Sequence, residues 1–90
     1  TSEELAKAPL DSFKFRSVSL NEKTLTPEMV FNFFGQPISI PVNRFVKFDP
    51  ADKTFTYFDP NTSRPITEKQ AQDLARKAIQ SIQSKTQGGQ

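Results

Sequence analysis

Residues 37–58 hold two runs in which apolar side chains recur at every second position, separated by the turn-forming tetrad Asp49-Pro50-Ala51-Asp52. Period two is the pattern of a strand with one buried face. Ile38, Ile40, Val42, Val46 and Phe48 share one parity, interrupted only by Arg44. Asp suits the first position of a turn and proline fixes φ at the second, so Lys53 to Phe58 reads as the returning strand of a hairpin. With the tetrad as the loop, Phe48 is expected opposite Lys53, Val46 opposite Phe55 and Arg44 opposite Tyr57. That register puts Phe55 and Tyr57 on the Ile/Val face and lays the Arg44 guanidinium over the Tyr57 ring. Pro41 has no amide donor, which assigns its strand to a sheet edge.

The remaining elements follow from local signals. Asp11 to Leu20 reads as a strand whose apolar phase slips from Phe13 and Phe15 to Val18 and Leu20. A one-residue slip predicts a bulge or break near Arg16–Ser17. Thr26-Pro27-Glu28 has the composition of a helix start, Leu25 and Val30 fit a hydrophobic staple, and Gly35 fits a stop. Met29 to Phe34 is therefore expected to be a short helix, apolar almost all round. After the turn formers 59–65, Thr67 and Gln70 fit a capping box. Ala71, Leu74, Ala75, Ala78, Ile79 and Ile82 then fall on one helical stripe, with Lys69, Gln72, Asp73, Arg76, Lys77, Gln80 and Gln83 on the rest, giving an amphipathic helix over about 68–84. Residues 1–10 read as a lead-in or a short helix capped by Ser2 and stopped by Pro9, and 85–90 as a disordered tail. The class implied is α+β in the order β-α-β-β-α. A small antiparallel sheet containing the hairpin (37–48 and 53–58) packs against the C-terminal helix, all in one domain over 11–84.

Composition removes several chemistries. The chain has 90 residues, no Cys and no His. Disulfides, thiol nucleophiles, an imidazole base and the usual zinc sites are excluded. Its three glycines, Gly35, Gly88 and Gly89, make no phosphate-binding loop. Asp49, Asp52, Asp59 and Asn61 crowd two consecutive turns, but their spacing is not that of an EF-hand. They read as turn formers, and neither a metal nor a cofactor is expected. Without a base, a nucleophile pair or a cofactor loop, the chain is expected not to be an enzyme. No apolar run approaches the roughly 20 residues of a membrane span, and no leader is visible, so membrane insertion is not expected. The net charge is +2 and the mean hydropathy −0.58. With so little apolar content, nine phenylalanines have to supply a dense core.

Basic and aromatic residues interleave at Phe13-Lys14-Phe15-Arg16, Arg44-Phe45-Val46-Lys47-Phe48 and Lys53 to Phe58. The second face of the expected hairpin carries Phe45, Lys47 and Phe58, and Lys14 and Arg16 are expected to point the same way. Such a face can stack unpaired bases and neutralise phosphates. It is similar to the sheets of single-strand RNA-binding domains, whose Gly-containing aromatic motif this chain lacks. A protein partner, or a second copy, is the competing occupant. It would use the edge strand with Pro37 and Pro41, the over-apolar segment 29–34, or the same hairpin face. The candidate binding residues are thus Phe45, Lys47, Phe58, Lys14 and Arg16. The expected function is a non-enzymatic module that binds a protein partner or self-associates, with single-stranded nucleic-acid binding as the alternative.

Overall fold

The structure is a computed structural model that describes residues 7–88, with side chains through residue 82. Most of the helix weighed for residues 1–8 lies outside the described residues. A 3-10 turn, Leu10–Ser12, leads into five strands: β1 Phe13–Asn21, β2 Thr26–Phe33, β3 Gln36–Pro41, β4 Val46–Asp49 and β5 Thr54–Tyr57. The C-terminal helix Glu68–Gly88 follows. The first three strands form an antiparallel sheet in the order β1-β2-β3, and β4-β5 form a separate two-stranded ribbon. The fold is α+β, with one long helix packed on small antiparallel sheets.

The segment 29–34, expected as helix, is where the order departs from expectation: residues 29–33 are strand and Phe34 is turn. Along β2, Pro27, Met29 and Phe31 are buried while Thr26, Glu28, Val30 and Asn32 are only partly so. That is period two. Thr-Pro-Glu is a good helix start in isolation, but eight residues of helix gain little on their own. Pairing with β1 over 26–33 and with β3 over 28–33 gives the segment ladder partners on both sides and buries Pro27, Met29 and Phe31. Gly35 does stop an element, as the second residue of the two-residue loop Phe34–Gly35. Its φ of 83° and the 47° of Phe34 are those of a type I′ hairpin turn.

The slip in β1 is a bulge. Phe15 pairs with Phe31 and Ser17 with Val30, so Arg16 is the extra residue. The bulge lets Phe13, Phe15, Val18 and Leu20 lie on one face despite their change of parity. Met29 and Phe31 continue that face on β2, and Ile40 and Ile38 opposite them do so on β3.

The long strand expected over 37–48 is two strands. β3 ends at Pro41, and the chain turns through Asn43, Arg44 and Phe45 before β4 begins. Proline on the partner strand is the reason. The Val42 amide donates to the Pro27 carbonyl at 2.9 Å, but Pro27 has no N–H to return to the Val42 carbonyl. That carbonyl instead accepts from Phe45 at 3.1 Å and Val46 at 2.9 Å, which curls the chain away. The turn buries the adjacent residues Phe45 and Val46, which a straight strand would send to opposite faces. Arg44 is left exposed on the turn, and Val46 takes the place opposite Tyr57 that it was expected to fill.

The β4-β5 register also differs from expectation, by two residues. Val46 faces Tyr57, Phe48 faces Phe55 and Asp49 faces Thr54. A shift of two preserves faces, so Phe55 and Tyr57 still pack toward the core beside Val46.

Three reversals share one construction. Asn21, Asp49 and Asp59 each turn Oδ1 onto backbone amides two or three residues ahead, at 2.7–3.2 Å. Each carbonyl also accepts the amide four residues on, from Leu25, Lys53 and Ser63 at 2.7–2.8 Å. Those three residues have φ of 57°, 57° and 63°. The Phe-Asp-Pro triplets at 48–50 and 58–60 are thus two copies of one loop, and Asn21 starts a third. Asp49 and Asp59 are occupied as turn formers.

The helix begins with the expected capping box: Gln70 N–H donates to Thr67 Oγ1 at 3.1 Å, and Thr67 N–H to Gln70 Oε1 at 2.9 Å. Ala71, Ala75 and Ile79 are buried against the sheet. Two alanines one turn apart let the helix axis approach the Phe and Met side chains closely. Its backbone runs to Gly88, past residue 84 where it was expected to end; residues 89 and 90 lie outside the described residues. No helix among the described residues is long and apolar enough to cross a membrane.

Candidate interaction site

The five residues singled out from the sequence do not converge on one face. Phe45 is 6% exposed and part of the core, so it presents no ring face for a base to stack on. Lys47 is exposed on the outer side of β4, opposite Thr56. Phe58 is half-buried and donates its amide to the Phe45 carbonyl at 3.0 Å. Lys14 is exposed on β1 opposite Asn32, and Arg16 is the exposed bulge residue. Lys14 and Arg16 thus belong to the three-stranded sheet and Lys47 and Phe58 to the ribbon side. Lys47 and Phe58 do meet, in a cleft they share with Leu20, Leu25, Val46 and Phe48.

Both edges of the three-stranded sheet are blunted. The bond from Val42 N–H to the Pro27 carbonyl sets the phase of the β2–β3 ladder. The backbone groups of 37, 39 and 41 then point outward. Two of those three residues are prolines, so Ser39 carries the one outward N–H on β3. On β1 the outward carbonyl of Phe13 accepts Arg76 Nε at 2.8 Å, and the bulge with exposed Lys14 and Arg16 twists and charges the rest. Prolines, bulges and lysine or arginine are the devices that discourage strand addition.

A second recess, on the helix side, is a groove. It lies between the C-terminal helix, the end of β3, the 43–45 turn and the loop at Pro60–Asn61, and encloses about 520 Å³. Ile40, Phe45, Leu74 and Ala78 form an apolar floor, and Ile82, 50% exposed, stands at its end. A shallower hollow continues it along β3 past Ile38 and Ile79. Asn43, Asn61 and Ser81 supply polar groups at the rim, and Arg44 and Lys77 supply charge.

The helix wall is held by Arg76, which the sequence placed on a solvated face. Its Nε donates to the Phe13 carbonyl, its Nη1 pairs with Asp73 Oδ1 at 2.8 Å, and its guanidinium lies 5.2 Å from the Phe31 ring centroid. Gln80 Nε2 adds a bond to the Ala8 carbonyl. At the other end of the helix, Tyr57 has its phenol pKa raised above 10.0, first by burial and then by the negative charge of Glu68. Among the described residues no three carboxylates converge as a metal site. Comparison with protein-family models, with curated proteins and with solved structures gave no match.

Proposed function

We propose that this domain is a non-enzymatic module that binds a protein partner in the groove between its C-terminal helix, the end of β3 and the 43–45 turn. The observation that carries this reading is a groove of about 520 Å³ with an apolar floor, Ile40, Phe45, Leu74 and Ala78, and with the half-exposed Ile82 at its end. Contiguous apolar surface rimmed by polar groups is what binding sites on small domains look like. The blunted edges support docking into the groove over pairing of strands, whether with a partner or with a second copy.

The test is retention of a partner from extracts of the cells that produce the protein. Immobilised wild-type chain is compared with Ser81→Trp, which fills the groove from an exposed helix position, and with Thr56→Trp on the far side of the ribbon. The expected result is a protein retained by wild type and by Thr56→Trp and lost with Ser81→Trp. Equal retention by all three would remove the groove as the site.

A further inference from the structure

We infer that the segment occupying this groove is an acidic peptide with apolar anchor residues, an inference that rests on the groove being the partner site. The charge of the lining is one-sided. Arg44 and Lys77 are its only ionised side chains, both exposed, and they come from the turn and the helix that flank the apolar floor. Neither is held in an ion pair among the described residues.

Asp59 and Asp73 line an adjoining hollow that shares Lys77 and Leu74 with the groove, and both make hydrogen bonds while keeping their charge. Asp73 is taken by Arg76, and Asp59 Oδ1 accepts the amides of Asn61 and Thr62 at 2.7 and 3.1 Å. Within the groove itself a basic segment would meet two cations and no carboxylate. An acidic one gains an attraction on each flank while its apolar side chains cover the floor. Asn43, Asn61 and Ser81 can bond the backbone of either, so they do not choose the class. The charges do.

The experiment is selection of a displayed random dodecapeptide library on the full chain, followed by anisotropy titration of the most enriched peptide. The inference expects enrichment of Asp and Glu together with Leu, Ile, Val or Phe. The enriched peptide should weaken by at least about tenfold on Arg44→Glu with Lys77→Glu, since each reversal turns an attraction into a repulsion. The milder Arg44→Gln with Lys77→Gln should fall between. Circular dichroism confirms that each variant folds. On the double reversal, selection should switch to Lys- and Arg-containing peptides.

Selected peptides with no acidic bias, or no selectable peptide at all, overturn the inference. So does an acidic peptide indifferent to the charge variants. If Ser81→Trp still costs the partner from the extract in those cases, the groove reading stands and only the acidic class is wrong. If it does not, both fall.

Discussion

Replacing Arg76 with methionine should destabilise the domain by about 2–4.5 kcal/mol, although the sequence places this residue among the polar positions of an amphipathic helix. The magnitude is the sum of three contacts. The hydrogen bond from the guanidinium to the Phe13 carbonyl joins a charged donor to a backbone acceptor, worth about 1.5–3 kcal/mol. Position over the Phe31 ring adds about 0.5–1 kcal/mol or somewhat more, because the Arg76 side chain is only 15% exposed. The pair with Asp73, whose side chain is 45% exposed, is discounted for solvent to about 0.5 kcal/mol or less. Methionine keeps much of the apolar stem, so packing is a small part of the change. Urea unfolding at constant m gives the stability difference, and a domain of this size shifts its Tm by about 4–8 °C per kcal/mol. Asp73→Ala alone should cost no more than about 0.5 kcal/mol. If Arg76→Met unfolds within 0.5 kcal/mol of wild type, or if Asp73→Ala costs as much as Arg76→Met, the clamp from helix to β1 is not what holds the helix wall.

Other substitutions separate core from surface. Phe45→Ala should cost about 3–5 kcal/mol in urea unfolding, as a buried ring lost from a packed core, while the neighbouring Lys47→Ala should stay within about 0.5 kcal/mol. Equal effects would place Phe45 outside the core. Phe34→Asn should stabilise by about 0.5–1 kcal/mol, because a type I′ turn asks this position for positive φ and phenylalanine is strained there. A loss of stability would mean that the contact of Phe34 with the Phe33 ring, at 4.7 Å between centroids, outweighs the strain. The Tyr57 phenol, read from its ultraviolet absorbance, should ionise above pH 10.0, and Glu68→Gln should lower its midpoint part of the way. In the unfolded chain the phenol ionises at its ordinary value while the folded chain keeps its proton. Stability should therefore be unaffected below pH 10 and fall as pH rises from there to the folded midpoint. A midpoint at or below 10 would contradict the burial of the ring.

How far the fold was legible depends on how local its causes are. The β1 bulge, the capping box and the core face of the ribbon all follow from residues close in sequence. The ribbon face survived a register error of two because its side chains repeat with that period. The strand identity of 26–33 was masked by Thr26-Pro27-Glu28 and Gly35, which are honest helix signals in a segment whose pairing on both sides overrides them. The break after Pro41 depends on Pro27 of the neighbouring strand, fourteen residues away, and no local pattern announces it. Arg44, the one charge on an otherwise apolar row, was the available hint, and it marks the turn. The groove draws on segments near residues 40, 44, 60 and 78, so its lining could not be collected before the topology was known. Of the residues put forward from the sequence, Phe45 reached it, as floor and not as a stacking platform. Arg76 was missed because a charged residue on a helix reads as solvated. Its place between Ala75 and Ile79, both buried, was the signal.

The central claim is that the groove beside Ser81 is where a partner docks, and site-specific photo-crosslinking tests it most directly. A benzophenone amino acid is placed at position 81 in one sample and at position 56 in another, and both are irradiated in the cells that produce the protein. A discrete adduct to a second protein from position 81, absent from position 56, is the predicted result. No adduct from position 81, or the same adduct from both positions, would contradict the account.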